Sequence, residues 1–392
     1  MNYNPLSPEV QNNPYPYYAE LRNKAPVAWI EPMKAWAVSR YADVDFVLRN
    51  PRLFSSASWK TASSGNPDVV QKVPGLLSMD PPDHTRLRKL ANKSFTPRLI
   101  RAMEPRVQAI TQDLLGALTK QAEADLVPLL SVPLPIIVIA EMLGVEVERQ
   151  ADFKRWSDAV VYALNRSTDK TVRAEIRQNI REFHTYLENM INQRRTEPGD
   201  DLITAFVQAE EEYQVLSSVE ILGLTVLLLA AGNETTTNLI GNAVLALLDH
   251  PEELAKVRAE RASVSALVEE VLRYDSPVQV VFRQTTEAVE LEDGKLPAGA
   301  TVLVLLGAAN RDERQFPDPD RFDVERNAQD HVGFGYGIHY CLGAPLARLE
   351  GRIALEALLF DCPRFARVLA RVPRIAAYLV RGPQTLPLRF AA

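Results

Sequence analysis

The sequence predicts a mainly α-helical fold with small β-sheets, and three observations carry that reading. From Asp83 onward most of the chain spaces its apolar residues at helical period. Strand-like runs are short, lying near the start and after residue 277. No G-x-G-x-x-G fingerprint follows a strand, so alternating βαβ units of the dinucleotide-binding kind are excluded.

In chain order, the opening residues read as a short helix, Tyr17–Asn23, then strands Val27–Ile30 and Ala35–Val38, then a helix over Tyr41–Leu48. The polar stretch Ser55–Val73 reads as a long loop, a feature usually tied to function or motion. Helical spacing covers 83–94, 98–119, 134–144, 149–164, 171–194, 199–210, 217–248, 251–258 and 262–274. Strands follow at Val278–Phe282, Val289–Leu291, Thr301–Leu305 and near the C-terminus. Ala344–Leu359 closes the pattern as a helix with Leu346, Leu349 and Ile353 on one stripe. No repeat, linker-like tract or shift in composition divides the 392 residues, so a single domain over 1–392 is expected.

Composition narrows the function. With 46% hydrophobic and 24% charged residues the chain is neither disordered nor fibrous. A net charge of -6 argues against broad nucleic-acid binding. Two cysteines, Cys341 and Cys362, give no disulfide framework and point to the cytoplasm. No signal peptide opens the chain, and no uninterrupted apolar run reaches the roughly 20 residues of a membrane span, so a soluble protein is expected.

The chemistry concentrates in Gly333-Phe334-Gly335-Tyr336-Gly337-Ile338-His339-Tyr340-Cys341-Leu342-Gly343. Cys341 stands at the N-terminus of the predicted helix 344–359, where amide groups and the positive dipole end favour a thiolate. Gly335 and Gly337 can take backbone angles closed to other residues, and Gly343 leaves space for a flat ligand. Zinc is disfavoured, since no second Cys or His lies at ligand spacing.

A second departure from core rules lies in helix 217–248, about 48 Å long at helical rise. Ser217 and Glu220 have capping-box spacing, and the apolar run Ile221–Ala231 gives way to Ala231-Gly232-Asn233-Glu234-Thr235-Thr236-Thr237. A glycine and a carboxylate placed in a buried helix often mark a functional site, the other reading being a kinked core helix with a solvated Glu at its edge.

The cysteine loop resembles the haem-binding signature of the cytochrome P450 monooxygenases, and the resemblance extends over essentially the whole chain, as a soluble bacterial member. It implies the P450 fold, a triangular helical prism around a buried haem. It implies haem b (iron protoporphyrin IX), with Cys341 as axial thiolate, which favours O–O cleavage. Phe334, Gly335 and Gly343 belong to the same cofactor-binding segment. By the same matching His84, Arg88, Arg283 and His339 serve the haem propionates. Ala231, Gly232, Glu234 and Thr235 match the oxygen groove: Gly232 leaves room for O2, Thr235 hydrogen-bonds the iron-bound oxygen species and Glu234 relays protons. Glu270 and Arg273 match the family's E-x-x-R motif, and Arg321 is expected to supply a second arginine to a structural network.

The implied activity is insertion of one oxygen atom from O2 into a hydrophobic small molecule such as a polyketide, terpenoid, steroid or fatty acid, in secondary metabolism. Pocket walls are expected from Ser55–Leu77, Trp156–Ser167, Leu227–Ala231, Val278–Phe282 and Leu379–Arg381, with Trp59 and Phe282 as aromatic contacts. No flavin or iron–sulfur motif is present, so electrons are expected from a separate ferredoxin or flavodoxin with its reductase, docking at Arg86, Lys89 and Arg348. No nucleic acid and no membrane are expected as partners. A peroxide-driven peroxygenase and a non-catalytic haem protein stay open as alternatives, the former disfavoured by the Glu234–Thr235 pair.

Overall fold

The computed structural model describes residues 3–57, 75–164, 170–213, 217–362 and 364–391. In chain order its elements are α1 (Pro8–Asn12), α2 (Tyr15–Lys24), β1 (Val27–Ile30), β2 (Ala35–Val38), α3 (Tyr41–Arg49) and β3 (Phe54–Ser55). Next come α4 (Asp83–Ser94), α5 (Pro97–Ala102), α6 (Glu104–Leu118), β4 (Glu123–Asp125), α7 (Pro133–Leu143), α8 (Gln150–Leu164) and α9 (Lys170–Thr196). They continue through α10 (Leu202–Tyr213), α11 (Ser218–Asp249), α12 (Pro251–Ala259), α13 (Val264–Tyr274), β5 (Val280–Thr285), β6 (Val289–Leu291) and β7 (Gly294–Leu296). The last are β8 (Thr301–Leu305), α14 (Leu306–Ala309), α15 (Ala344–Glu356), β9 (Phe365–Arg367) and β10 (Pro387–Phe390). The fold is mostly helical with small sheets, as expected.

One predicted helix is divided. The apolar period of 98–119 runs through both α5 and α6, but Thr96 caps α5, its Oγ1 accepting from Leu99 N–H at 3.3 Å, and the helix ends at Ala102. Pro105 then sits in the first turn of α6, where a missing N–H costs nothing.

The chain forms two compact units: one comprises residues 1–55, 104–134 and 235–392, the other 56–103 and 135–234. The first holds every strand described. Its five-stranded sheet has the order β1-β2-β8-β5-β3, with only β2 and β8 parallel. Val38, Phe54, Val302 and Val304 pack there with Val44, Val47 and Leu48 of α3. A three-stranded sheet, β4-β10-β9, and the hairpin β6-β7 complete it. The second unit is helical among the described residues, with α8 on α9, α9 on α10 and α10 on α4. Trp156 is buried in it, stacked 5.6 Å from Phe183 and 5.0 Å from Tyr186.

The division falls within α11, between Glu234 and Thr235. Its capping box forms as predicted: Ser217 N–H donates to Glu220 Oε2 at 2.8 Å, and Glu220 N–H to Ser217 Oγ at 3.3 Å. By length and composition alone Val219–Asp249 is long and apolar enough to cross a membrane. Its second half instead lies in protein core: Leu239, Ile240, Val244 and Leu247 are buried with Asn238 and Asn242.

Candidate active site

The cysteine loop is closed by its own backbone. Cys341 N–H donates to Phe334 O at 3.0 Å, Gly335 N–H to Val332 O at 2.8 Å and Tyr340 N–H to Gly337 O at 3.1 Å. Gly335 and Gly337 both have φ of 68°, the left-handed region the sequence reading required of them. At Gly337 a β-carbon would also collide with the Leu48 carbonyl at the end of α3. Cys341 thus stands just ahead of α15, which Gly343 caps. It is half-buried and in no disulfide, and Phe334, Gly335, His339 and Gly343 are half-buried around it. A β-carbon on Gly343 would find the Cys341 Sγ at 4.0 Å and nothing nearer, so protein packing leaves that position open.

Behind the loop lies a wholly buried ion pair. Arg273 donates to both oxygens of Glu270 at 2.7 and 2.8 Å, and to the carbonyls of Asn310, Pro319 and Arg321. The expected second arginine needs correcting. The Arg321 side chain is 61% exposed and faces Asp323, contributing only its carbonyl; Arg326 instead brings its Nε to 3.5 Å from Glu270. Of the cations expected at the docking patch, Arg86 is paired with Glu220, and Arg348 forms a two-point pair with Glu269 at 2.6 and 2.8 Å.

Along α11, Ala231 is exposed and Gly232 half-exposed, with no heavy atom within 4 Å of where a β-carbon on Gly232 would stand. Glu234 is half-buried, and that burial raises its pKa. The neighbouring polar groups are engaged: Asn233 Nδ2 donates to Ser157 Oγ at 3.0 Å, and Thr237 Oγ1 to Ser131 O at 2.9 Å. Thr236 hydrogen-bonds Glu350 of α15, a residue the sequence reading missed; burial pushes Glu350 up to about 8. Its signal was present, since Glu350 lies on the Leu346–Ile353 apolar stripe of that helix.

His84 is buried one turn from half-buried Arg88 on α4, on the shared face expected. Arg88 Nε donates to Asn92 Oδ1 at 3.0 Å. Arg283 is buried in β5, its Nη1 donating to Phe282 O at 2.7 Å. His84, Arg88, Ala231, Gly232 and Glu234 belong to the second unit; Thr235, Arg283, Phe334, Gly335, His339, Cys341 and Gly343 belong to the first. Of the expected pocket walls, 58–74 (with Trp59) and 165–167 lie outside the described residues. Trp156 is core, and so is Val280. Two wall segments do meet: Gln279 N–H donates to Leu379 O and Arg381 N–H to Pro277 O, both at 2.8 Å.

The sequence profile described as Cytochrome P450 matches residues 3–362. The chain belongs to the cytochrome P450 family. It is 40% identical over 396 residues to the cytochrome P450 monooxygenase PikC of Streptomyces venezuelae, covering 98% of this chain and 93% of that one. Among solved structures, CYP109Q5 from Chondromyces apiculatus superposes with a TM-score of 0.92 at 45% identity, covering 99% and 98% of the two chains. CYP109E1 from Bacillus megaterium, in complex with corticosterone, gives 0.89 at 39% identity, covering 98% and 100%. This P450 is a monooxygenase, and its family uses haem, O2, a redox partner and hydrophobic substrates. Within the first unit the residues present fit a haem: a half-buried thiol in a glycine loop and a residue without side chain beside it at Gly343.

Proposed function

We propose that this P450 binds haem b through the Cys341 sulfur and hydroxylates or epoxidises a hydrophobic small molecule, with residues 1–392 acting as one catalytic domain. The observation that carries the reading is the cysteine itself: half-buried, ahead of a helix, in a loop closed by Phe334 and two left-handed glycines. The haem, when bound, supplies the iron at which O2 is activated; one oxygen atom enters a C–H or C=C bond, and the other leaves as water with two protons and two electrons.

The chain's own residues then have distinct tasks. The α15 dipole and the loop amides favour sulfur in its anionic form. Phe334, Gly335 and Gly343 flank the ring, and His84, Arg88, Arg283 and His339 hold its propionates by charge-assisted hydrogen bonds. Gly232 and Ala231 leave room on α11 for O2. Thr235 positions a hydroxyl toward it, and Glu234, whose pKa burial raises, relays protons.

The substrate reading follows the mainly apolar segments Leu227–Ala231 and Val278–Phe282. The likeness to a protein that binds corticosterone favours a steroid-sized or polyketide-sized compound, terpenoids and fatty acids being the other classes of matching polarity. Electrons come from a ferredoxin or flavodoxin with its reductase. Two cysteines in no disulfide fit a cytoplasmic setting. The test is spectroscopic: the reduced, carbon monoxide-bound protein shows the thiolate-specific band, and Cys341→Ser abolishes both band and turnover. A serine variant retaining them overturns the reading.

A further inference from the structure

We propose that Glu269 and His331, with Arg348, are positioning residues for the cysteine loop, a role that rests on Cys341 being the iron ligand. Glu269 and Glu270 are neighbours on α13 with different partners. Glu270 is closed off by Arg273, whereas Glu269 joins two side chains, His331 just ahead of the loop and Arg348 of α15.

The connections form one continuous network within a single unit. Arg348 gives Glu269 two bonds, at 2.6 and 2.8 Å. Glu269 Oε2 lies 3.1 Å from Nε2 of buried His331. The other ring nitrogen, Nδ1, accepts from Gly333 N–H at 3.0 Å, which places the ring hydrogen on Nε2, facing the carboxylate. Gly333 has no room to move: a β-carbon there would lie 2.8 Å from Leu272 O and 3.1 Å from His331 Nδ1. The next residue, Phe334, carries the Arg348 guanidinium 4.6 Å over its ring, and its carbonyl accepts Cys341 N–H. From the far side Arg348 Nη1 donates to Tyr340 Oη at 3.2 Å, one residue before the cysteine.

One carboxylate therefore ties both ends of the loop, through His331 to Gly333 and through Arg348 to Phe334 and Tyr340. Burial alone would raise Glu269, but Arg348 and His331 pull it down to about 2, so the network keeps its anion. Groups that orient a ligand's backbone in this way tune a bound metal without touching it.

The experiment uses haem-loaded protein: wild type, His331→Ala, His331→Asn, Glu269→Gln, Arg348→Lys, and Leu388→Ala as a core truncation in β10. The readouts are the thiolate-specific band of the reduced carbon monoxide complex, the reduction potential and haem release to a scavenger. Circular dichroism and melting temperature are recorded beside them. His331→Ala and Glu269→Gln lose a major part of the band, shift the potential and release haem about tenfold faster while keeping native helicity. His331→Asn, which can still accept from Gly333 N–H, recovers part of the loss. Leu388→Ala lowers the melting temperature and leaves band and potential in place. Folded His331→Ala and Glu269→Gln with wild-type band, potential and haem release overturn the proposal; if the alanine variant does not fold, Glu269→Gln and Arg348→Lys decide. Failure of the Cys341 assignment is a separate result, since it appears as an absent thiolate band in the unmodified protein.

Discussion

Around the cysteine loop, Glu269 and Glu270 each lie against arginines, and Gly333 and Gly337 are hemmed in by backbone. The middle of α11 is built oppositely. Burial raises Glu234, Glu350 has the Thr236 hydroxyl as its partner, and Gly232 has open space where a side chain would stand. The first region fixes a geometry with paired charge. The second holds carboxyl protons and leaves room, as a helix must if a reactant is to sit beside it. Similar residue types thus carry paired charge in one place and raised carboxyl pKa values in the other, and the environment decides which.

The largest effect that separates them is loss of a buried charge partner. Arg273→Ala strands Glu270, which has no solvent exposure, and should lower unfolding free energy by about 3–5 kcal/mol in urea titrations. Arg326 at 3.5 Å is too distant to replace two direct bonds. A loss below about 1 kcal/mol, the range of surface pairs, would mean that the pair is not the brace described.

Glu350 should behave in the reverse sense. Its folded pKa of about 8 stands above a glutamate's ordinary 4.5, so its contribution is fully present below 4.5 and is lost as pH rises to about 8. Wild-type stability should therefore decline across that window. Glu350→Gln keeps the bond to Thr236 without the titration. It should match wild type near pH 5 and exceed it at pH 8 by on the order of 3 kcal/mol. Glu269, held at about 2, has the opposite sign, since its contribution is present above 4.5 and lost as pH falls through about 2. Parallel pH profiles for Glu350→Gln and Glu269→Gln would erase the contrast.

The sequence made this contrast legible only in part. Strands Val27–Ile30, Ala35–Val38, Val289–Leu291 and Thr301–Leu305 lie where alternation put them, and α4 has the predicted bounds, because period reports which face is buried. The left-handed angles of Gly335 and Gly337 were readable because a backbone conformation is a local matter. Partners were not. Glu269 meets Arg348 across 79 residues and His331 across 62, and no spacing rule pairs residues that tertiary folding brings together. The family resemblance pointed to Arg321, and Arg326 was missed for the same reason. Both lie near Glu270, and only the turn after Pro319 decides which side chain points inward.

The smallest effect is the most discriminating, because it sets two glycines against each other. Gly337→Ala adds a β-carbon at φ of 68° against the Leu48 carbonyl, and should cost about 2 kcal/mol with partial loss of haem. Gly232→Ala adds the same methyl group to a helix with no heavy atom within 4 Å, where alanine is favoured over glycine by about 1 kcal/mol. It should raise the melting temperature and, on the proposed role of Gly232 in leaving room for O2, at the same time slow product formation. A variant both more stable and equally active would show that the opening beside Gly232 is incidental. The functional contrast between α11 and the cysteine loop would then rest on the carboxylates alone.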